Sequence, residues 1–118
     1  MMNFKNYLAE NIAVFEFSGK LMGGANATMF QGRLMEYINL NKNRVLLDLN
    51  QVDWTNSRGL GMLLLALTTV KNSGGRLALS NIDNLESLLA TTRLATVFEH
   101  FDSKEKAMTA LREERIVN

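Results

Sequence analysis

The sequence contains no cysteine, which excludes disulfide bonds, thiolate catalysis and cysteine-based zinc sites. His100 is the only histidine, so a site built from several histidines is excluded as well. Proline is absent, and no repeat, low-complexity tract or linker interrupts the 118 residues. The longest apolar run, GLGMLLLALTTV, is too short and too polar at its end to span a bilayer. We therefore expect no metal, no cofactor and no direct insertion into a membrane.

The chain also lacks an excess of charge of either sign. Its 13 basic and 12 acidic side chains give a net charge of +1 and are interspersed, so binding to a nucleic acid backbone is not expected. The N-terminal MMNFKNYLAEN does not have the pattern of a signal peptide, which predicts a cytoplasmic protein. A chain of this length with 47% hydrophobic residues is expected to form a single domain over residues 1–118.

Short apolar segments predict the strands. Some alternate apolar and polar residues, as half-buried strands do, and RVLLDLN is almost continuously apolar, as in a strand covered on both faces. Glu10 and Asn11 are expected to form a hairpin turn between the first two strands. The predicted strands cover residues 4–9, Asn11–Gly19, Arg44–Asn50, 76–81 and 96–101.

Segments with apolar residues at helical spacing separate the later strands. They predict helices over Ala25–Leu40, Gly59–Asn72, Asn84–Thr92 and 102–114, the last starting with Asp102 and Glu105 as a capping box. The order β-β-α-β-α-β-α-β-α predicts an α/β fold. We expect a mostly parallel sheet of four or five strands, with an antiparallel N-terminal pair at its edge and about four helices.

The stretch TNSRGLGML, from Thr55 to Leu63, lies between a buried strand and an apolar helix. Ser57 is placed to be the N-cap of that helix. The stretch around Ser57 also resembles half of the hydrolase nucleophile elbow, G-x-S-x-G. However, Thr55 replaces the first glycine, and His100 is the only available general base. The helix N-terminus would stabilise the negative charge of a phosphate attached to Ser57, so the serine is a candidate phosphoacceptor. Gly59 and Gly61 are expected to leave room around the cap.

The helix after Ser57 carries two apolar stripes. Leu60, Leu63, Leu64 and Leu67 are enough to bury one side against a sheet. The second stripe either packs against neighbouring elements or forms an exposed docking patch beside Ser57. That stripe consists of Arg58, Met62, Leu65 and Thr69.

Five segments in the same order resemble the STAS domain family, which includes the bacterial anti-sigma factor antagonists. VLLDL followed by NSRGLG is similar to the family's strand and its D-S-S-G-L-G signature. FSGKL, KNSGGRLALSNI and LLATTRLATVFEHFDSKEKAM are similar to further family segments, and together they cover nearly the whole chain.

The resemblance implies a switch protein without catalysis of its own. In the family, the unphosphorylated domain binds an anti-sigma factor of the histidine-kinase-like ATPase class and so frees a sigma factor. That partner phosphorylates the domain, and a PP2C-type serine phosphatase reverses the modification. Carried onto this sequence, the phosphoacceptor is Ser57. The resemblance implies that the partner binds Asn56, Arg58, Gly59 and Met62, together with the loop 20–25, which includes Lys20, Gly23 and Gly24. Leu65, from the second stripe, is also a predicted partner-binding residue.

Two residues depart from the family signature. Asn56 stands where aspartate is usual, and Arg58 where serine is common. Arg58 has two interpretations: it pairs with a phosphate on Ser57 and weakens the switch, or it contacts an acidic partner or a nucleotide phosphate. Trp54 is expected to pack over the end of its strand.

Alternative functions follow from the same sequence. One is a constitutively bound STAS accessory subunit of an ABC-type lipid or solute transport complex. Another is a small enzyme, either an esterase using Ser57 or a receiver-like phosphoacceptor using Asp48. The receiver function needs an acidic cluster at the end of the first strand, where the sequence FSGKL supplies none.

Overall fold

The computed structural model describes residues 2–94 and 96–113, and within them the chain forms five strands and four α-helices. A turn of 3-10 helix, Asp83–Leu85, leads into the third helix. The elements are β1 (Met2–Ala9), β2 (Ile12–Leu21), α1 (Ala25–Asn39), β3 (Arg44–Thr55), α2 (Ser57–Asn72), β4 (Arg76–Ser80), α3 (Glu86–Thr91), β5 (Glu99–Phe101) and α4 (Lys104–Arg112).

The strands form one sheet in the order β1-β2-β3-β4-β5. β1 and β2 are antiparallel, and the remaining neighbours are parallel. Glu10 and Asn11 join β1 to β2 with φ values of 54° and 66°, as a two-residue hairpin turn requires. The predicted α/β fold, the antiparallel edge pair and this turn are confirmed.

Helices cover both faces of the sheet. The main core lies between the sheet and α1, α2 and α3, and a smaller cluster lies beneath α4. Within the main core, Phe15 of β2 meets Phe30 of α1 edge to face, with ring centroids 4.9 Å apart. This double covering explains why Val45 through Leu49 are all buried and why the sequence of β3 does not alternate.

Two strands extend further than the sequence predicts. β3 continues past Asn50 to Thr55, and β2 continues to Leu21, so Lys20 belongs to a strand and not to a loop. The added residues pair Lys20 with Trp54 and Leu21 with Thr55, after two register shifts. Their backbone groups bond across the sheet, a long-range pairing that local patterns do not reveal.

The predicted cap of α4 is wrong by one residue. Ser103, not Asp102, is the N-cap, and its Oγ accepts a hydrogen bond from the Lys106 backbone N–H at 3.1 Å. The Asp102 carboxylate instead pairs with Lys106 Nζ at 2.9 Å. Serine and aspartate cap helices about equally well, so the sequence alone does not separate two neighbouring candidates.

Candidate functional site

The N-terminus of α2 is capped by Asn56. The backbone of Asn56 is extended, and its Oδ1 accepts a hydrogen bond from the Gly59 N–H at 3.0 Å. The prediction that Ser57 is the N-cap is therefore wrong. Asparagine and serine are both preferred caps, and Asn56 is the residue three positions before the N–H that needs a partner.

Ser57 is the first residue of α2, and its side chain is exposed. Across residues 2–94 and 96–113, its hydroxyl has no hydrogen-bond partner. The hydroxyl is thus accessible, and it is free of a structural role in the helix that it begins.

The helix start is held tightly against the end of β2. The Thr55 hydroxyl donates to the Leu21 carbonyl at 3.0 Å. A Cβ added at Gly59 would lie 2.5 Å from Thr55 Oγ1 and would also collide with the Leu21 carbonyl. The prediction that Gly59 leaves room for an approaching partner is wrong, because its close neighbours belong to the chain itself. At Gly61 an added Cβ would meet nothing within 4 Å, so that glycine does open space.

The second stripe of α2 is divided between core and surface. Met62 is only 7% exposed and belongs to the main core, so its predicted place on the surface is wrong. Leu65 is 52% exposed, as the docking interpretation requires. Further along, Gln31 of α1 donates to the Thr69 hydroxyl at 3.0 Å, because α1 packs beside this end of the helix.

Four residues on the segments that meet near the start of α2 contact one another in two pairs. Lys20 Nζ lies 5.9 Å from the centre of the Trp54 ring, a cation–π contact. The Arg58 side chain lies against Gly23, since its Cδ is 3.5 Å from the position of a Cβ at that glycine. We call Lys20, Gly23, Trp54, Ser57 and Arg58 the Ser57 face. Gly24 follows at the start of α1 with φ of 114°, a value that favours glycine.

Trp54 is the residue whose surroundings the sequence does not predict. The sequence predicts that it packs over the strand end, but it is 45% exposed. The signal available is the run VDWT, which is rich in residues that favour strands and so suggests that β3 continues to this point.

Neither enzyme hypothesis gains support from the geometry. His100 is exposed on β5, where the strand register places it opposite Leu79 and, through that residue, opposite Leu47. Most of the length of β3 separates Leu47 from Ser57. His100 is therefore not placed to act as a general base for Ser57. Asp48 is buried, and its Oδ1 accepts hydrogen bonds from Ser80 Oγ at 2.6 Å and Asn81 Nδ2 at 2.7 Å.

The described part of the chain holds no group of three acidic, histidine or cysteine side chains that could bind a metal ion. A cavity of about 490 Å³ lies at the amino ends of β3 and β4, lined by Asn43, Arg44 and Arg76 among others. Ser57 follows the carboxyl end of β3, so this cavity is at the other end of the sheet. None of the helices in the described ranges is long and apolar enough to cross a bilayer.

The comparisons with known proteins agree with this fold. The STAS domain family model matches residues 3–107. A Thermotoga maritima protein described as an anti-sigma factor antagonist is 30% identical over 89 residues, which cover 74% of this chain and 79% of that protein. The chain belongs to the STAS domain family.

Solved structures share the fold. A crystal structure of an anti-sigma factor antagonist from Thermotoga maritima, so described, has a TM-score of 0.81 and 24% identity, covering 93% of this chain and 95% of that chain. The Bacillus cell fate determinant SpoIIAA in its phosphorylated form has a TM-score of 0.73 and 15% identity, covering 93% of this chain and 100% of that chain.

Proposed function

We propose that this chain is an anti-sigma factor antagonist switched by phosphorylation of Ser57. In its unphosphorylated form it binds an anti-sigma factor of the histidine-kinase-like ATPase class and so releases a sigma factor. That partner phosphorylates Ser57 and ends the association, and a PP2C-type serine phosphatase restores it. The protein acts in the cytoplasm, as a binding module without catalysis of its own.

The accessible Ser57 hydroxyl carries this proposal. Because Asn56 provides the cap, a kinase can modify Ser57 without removing a hydrogen bond that holds α2. The free N–H groups and the dipole of the helix N-terminus favour a phosphate there. The added charge of about −1.5 to −2 opposes a partner surface that must pack on the same spot.

The experiment is phosphorylation by purified candidates. Each anti-sigma factor of the histidine-kinase-like ATPase class from the organism that encodes this chain is incubated with the chain and ATP. We expect one of them to add a single phosphate, seen by intact mass, to wild type and to Ser87→Ala but not to Ser57→Ala. Ser87 is the matched control because it is an exposed serine in the first turns of another helix, α3.

Binding by Ser57→Asp then separates this function from the transport-subunit alternative. The switch requires that the kinase bind wild type and bind Ser57→Asp much more weakly. A constitutive subunit would bind an ABC-type ATPase equally well in both forms. Absence of phosphate transfer from every candidate kinase would contradict the proposed function.

A further inference from the structure

We infer that the partner meets the Ser57 face with an acidic surface, so that its carboxylates pair with Arg58 and Lys20. The inference rests on the proposed function and specifies the chemistry of that partner. It concerns Lys20 and Arg58, the two cationic residues of the Ser57 face.

The first support is unbalanced positive charge. Lys20 and Arg58 are exposed, and neither forms an ion pair with any residue in the described ranges. Both α1 and α2 begin here, and neither has an acidic residue in its first turn. The partial positive charges of two helix N-termini therefore add to the two side-chain cations.

The acidic residues of this end of the sheet do not neutralise these cations. Asp53 is exposed on β3 next to Trp54, and it forms no ion pair with Lys20 or Arg58. Asp83 and Glu86 follow β4, whereas Lys20 lies at the end of β2 and Gly23 follows it, on the other side of β3. The surface around Ser57 is thus basic toward β2 and acidic toward β4, which gives a docked partner a defined orientation.

Both cations are already positioned before a partner arrives. The aliphatic part of Arg58 lies against Gly23, and Lys20 lies over the Trp54 ring. Contacts of this kind restrict long side chains and so reduce the entropy lost when they bind. Trp54, at 45% exposure, supplies apolar area beside Lys20, and Leu65, at 52% exposure, lies about two helical turns along α2 from Arg58. Tryptophan and arginine are enriched among the interface residues that contribute most to binding energy.

This arrangement assigns Arg58 a function in the switch. A phosphate on Ser57 would place its charge beside Arg58, where it occupies the guanidinium and repels the partner's carboxylates. Arg58 therefore increases the difference in partner affinity between the two forms. It pairs with the acidic partner before phosphorylation and with the phosphate afterwards.

The test measures association with the purified kinase that binds in the experiment above, by surface plasmon resonance at 50 and 300 mM NaCl. Arg58→Glu and Lys20→Glu should each slow association and weaken binding about tenfold at low salt, because reversed charges near an interface act mainly on the association rate. Wild-type affinity should fall as salt increases. That dependence should reverse in the double variant, because salt screens the repulsion between its two glutamates and the partner's carboxylates.

Lys71→Glu is the control, because this substitution makes the same change of charge in the last turn of α2. The Lys71→Glu variant should bind the kinase as wild type does. Thermal melting of each variant checks that it is folded. If Arg58→Glu and Lys20→Glu bind within twofold of wild type, or more tightly, the inference is wrong although the Ser57 switch stands. If no kinase binds the wild-type chain, the proposed function fails and the inference fails with it.

Discussion

At the start of α2, two adjacent polar side chains have different roles. Asn56 holds the first turn through its bond to the Gly59 N–H, and Ser57 presents an unbonded hydroxyl to solvent. The cap therefore depends on Asn56 and not on Ser57, and substitution at each position can test this.

We expect Asn56→Ala to lower the free energy of unfolding by about 1 kcal/mol, the usual cost of losing a cap. Ser57→Ala should change it by less than about 0.5 kcal/mol, as is typical of an exposed position. Asn56→Asp should retain the cap and remain close to wild type. Urea denaturation measures all three, and equal losses at positions 56 and 57 would contradict this division of roles.

Two glycines of the same helix should respond in opposite ways to alanine. Gly59→Ala would drive a methyl group into the Leu21 carbonyl and Thr55 Oγ1, at a cost of about 2 kcal/mol. Gly61→Ala meets open space and should stabilise the protein by up to about 1 kcal/mol, because alanine favours helix. The measurement is the midpoint of urea unfolding. An unchanged or higher midpoint in Gly59→Ala would show that Gly59 is not confined as described, and a lower midpoint in Gly61→Ala would contradict the open space there.

At the scale of elements, α4 is attached to the sheet by a small polar cluster. The Glu16 carboxylate on β2 accepts hydrogen bonds from Lys104 Nζ at 2.7 Å and from the Tyr7 hydroxyl at 2.8 Å. The bond from Lys104, followed by that from Tyr7, lowers the pKa of the Glu16 carboxyl below its ordinary 4.5. The cluster connects β1, β2 and α4, elements distant in the sequence.

This pKa shift predicts how stability depends on pH. A carboxyl group whose pKa is lower in the folded state contributes stability above its unfolded pKa and loses it as the pH falls through the folded value. Wild type should therefore melt at a higher temperature than Glu16→Gln at pH 7, and the difference should shrink below pH 4.5. Glu36→Gln, in an exposed pair with Arg33, should change Tm little. A Glu16→Gln difference that is constant from pH 7 to pH 3 would contradict the prediction.

The elements were predictable from the sequence more reliably than their ends. Continuous and alternating apolar segments predict every strand and helix in the correct order, because burial on one or two faces sets those patterns. The ends of β2 and β3 depend on pairing between Lys20 and Trp54 and between Leu21 and Thr55, which no local pattern encodes. Met62 was misplaced for a related reason: the sequence shows that a second side of α2 is apolar but not which neighbour covers it.

At the scale of the whole molecule, one aromatic cluster joins the hairpin to α1. Phe15 stacks edge to face with Phe30 at 4.9 Å and with Tyr37 at 5.7 Å between ring centroids. Phe15 is fully buried, at 0% exposure. Removing it opens a cavity in the main core and loses these contacts together.

We expect Phe15→Ala to lower the free energy of unfolding by about 3–5 kcal/mol, a large part of the 5–15 kcal/mol or so that a domain possesses. Met29→Ala is the matched control, because Met29 of α1 is 63% exposed, and it should change stability by less than about 0.5 kcal/mol. Guanidinium chloride unfolding followed by circular dichroism measures both. Similar losses in the two variants would show that this cluster does not dominate the core.

The hydrogen bond from Gly59 to Asn56 also bears on the lifetime of the protein. That bond involves no atom of Ser57, so the proposed phosphate would not remove it. A phosphate at the helix N-terminus would leave the folded state as stable as before or slightly more so. Proteases act on the unfolded fraction, and that fraction would not rise when Ser57 is modified. The signal would then be carried by binding alone, without changing how long each molecule persists.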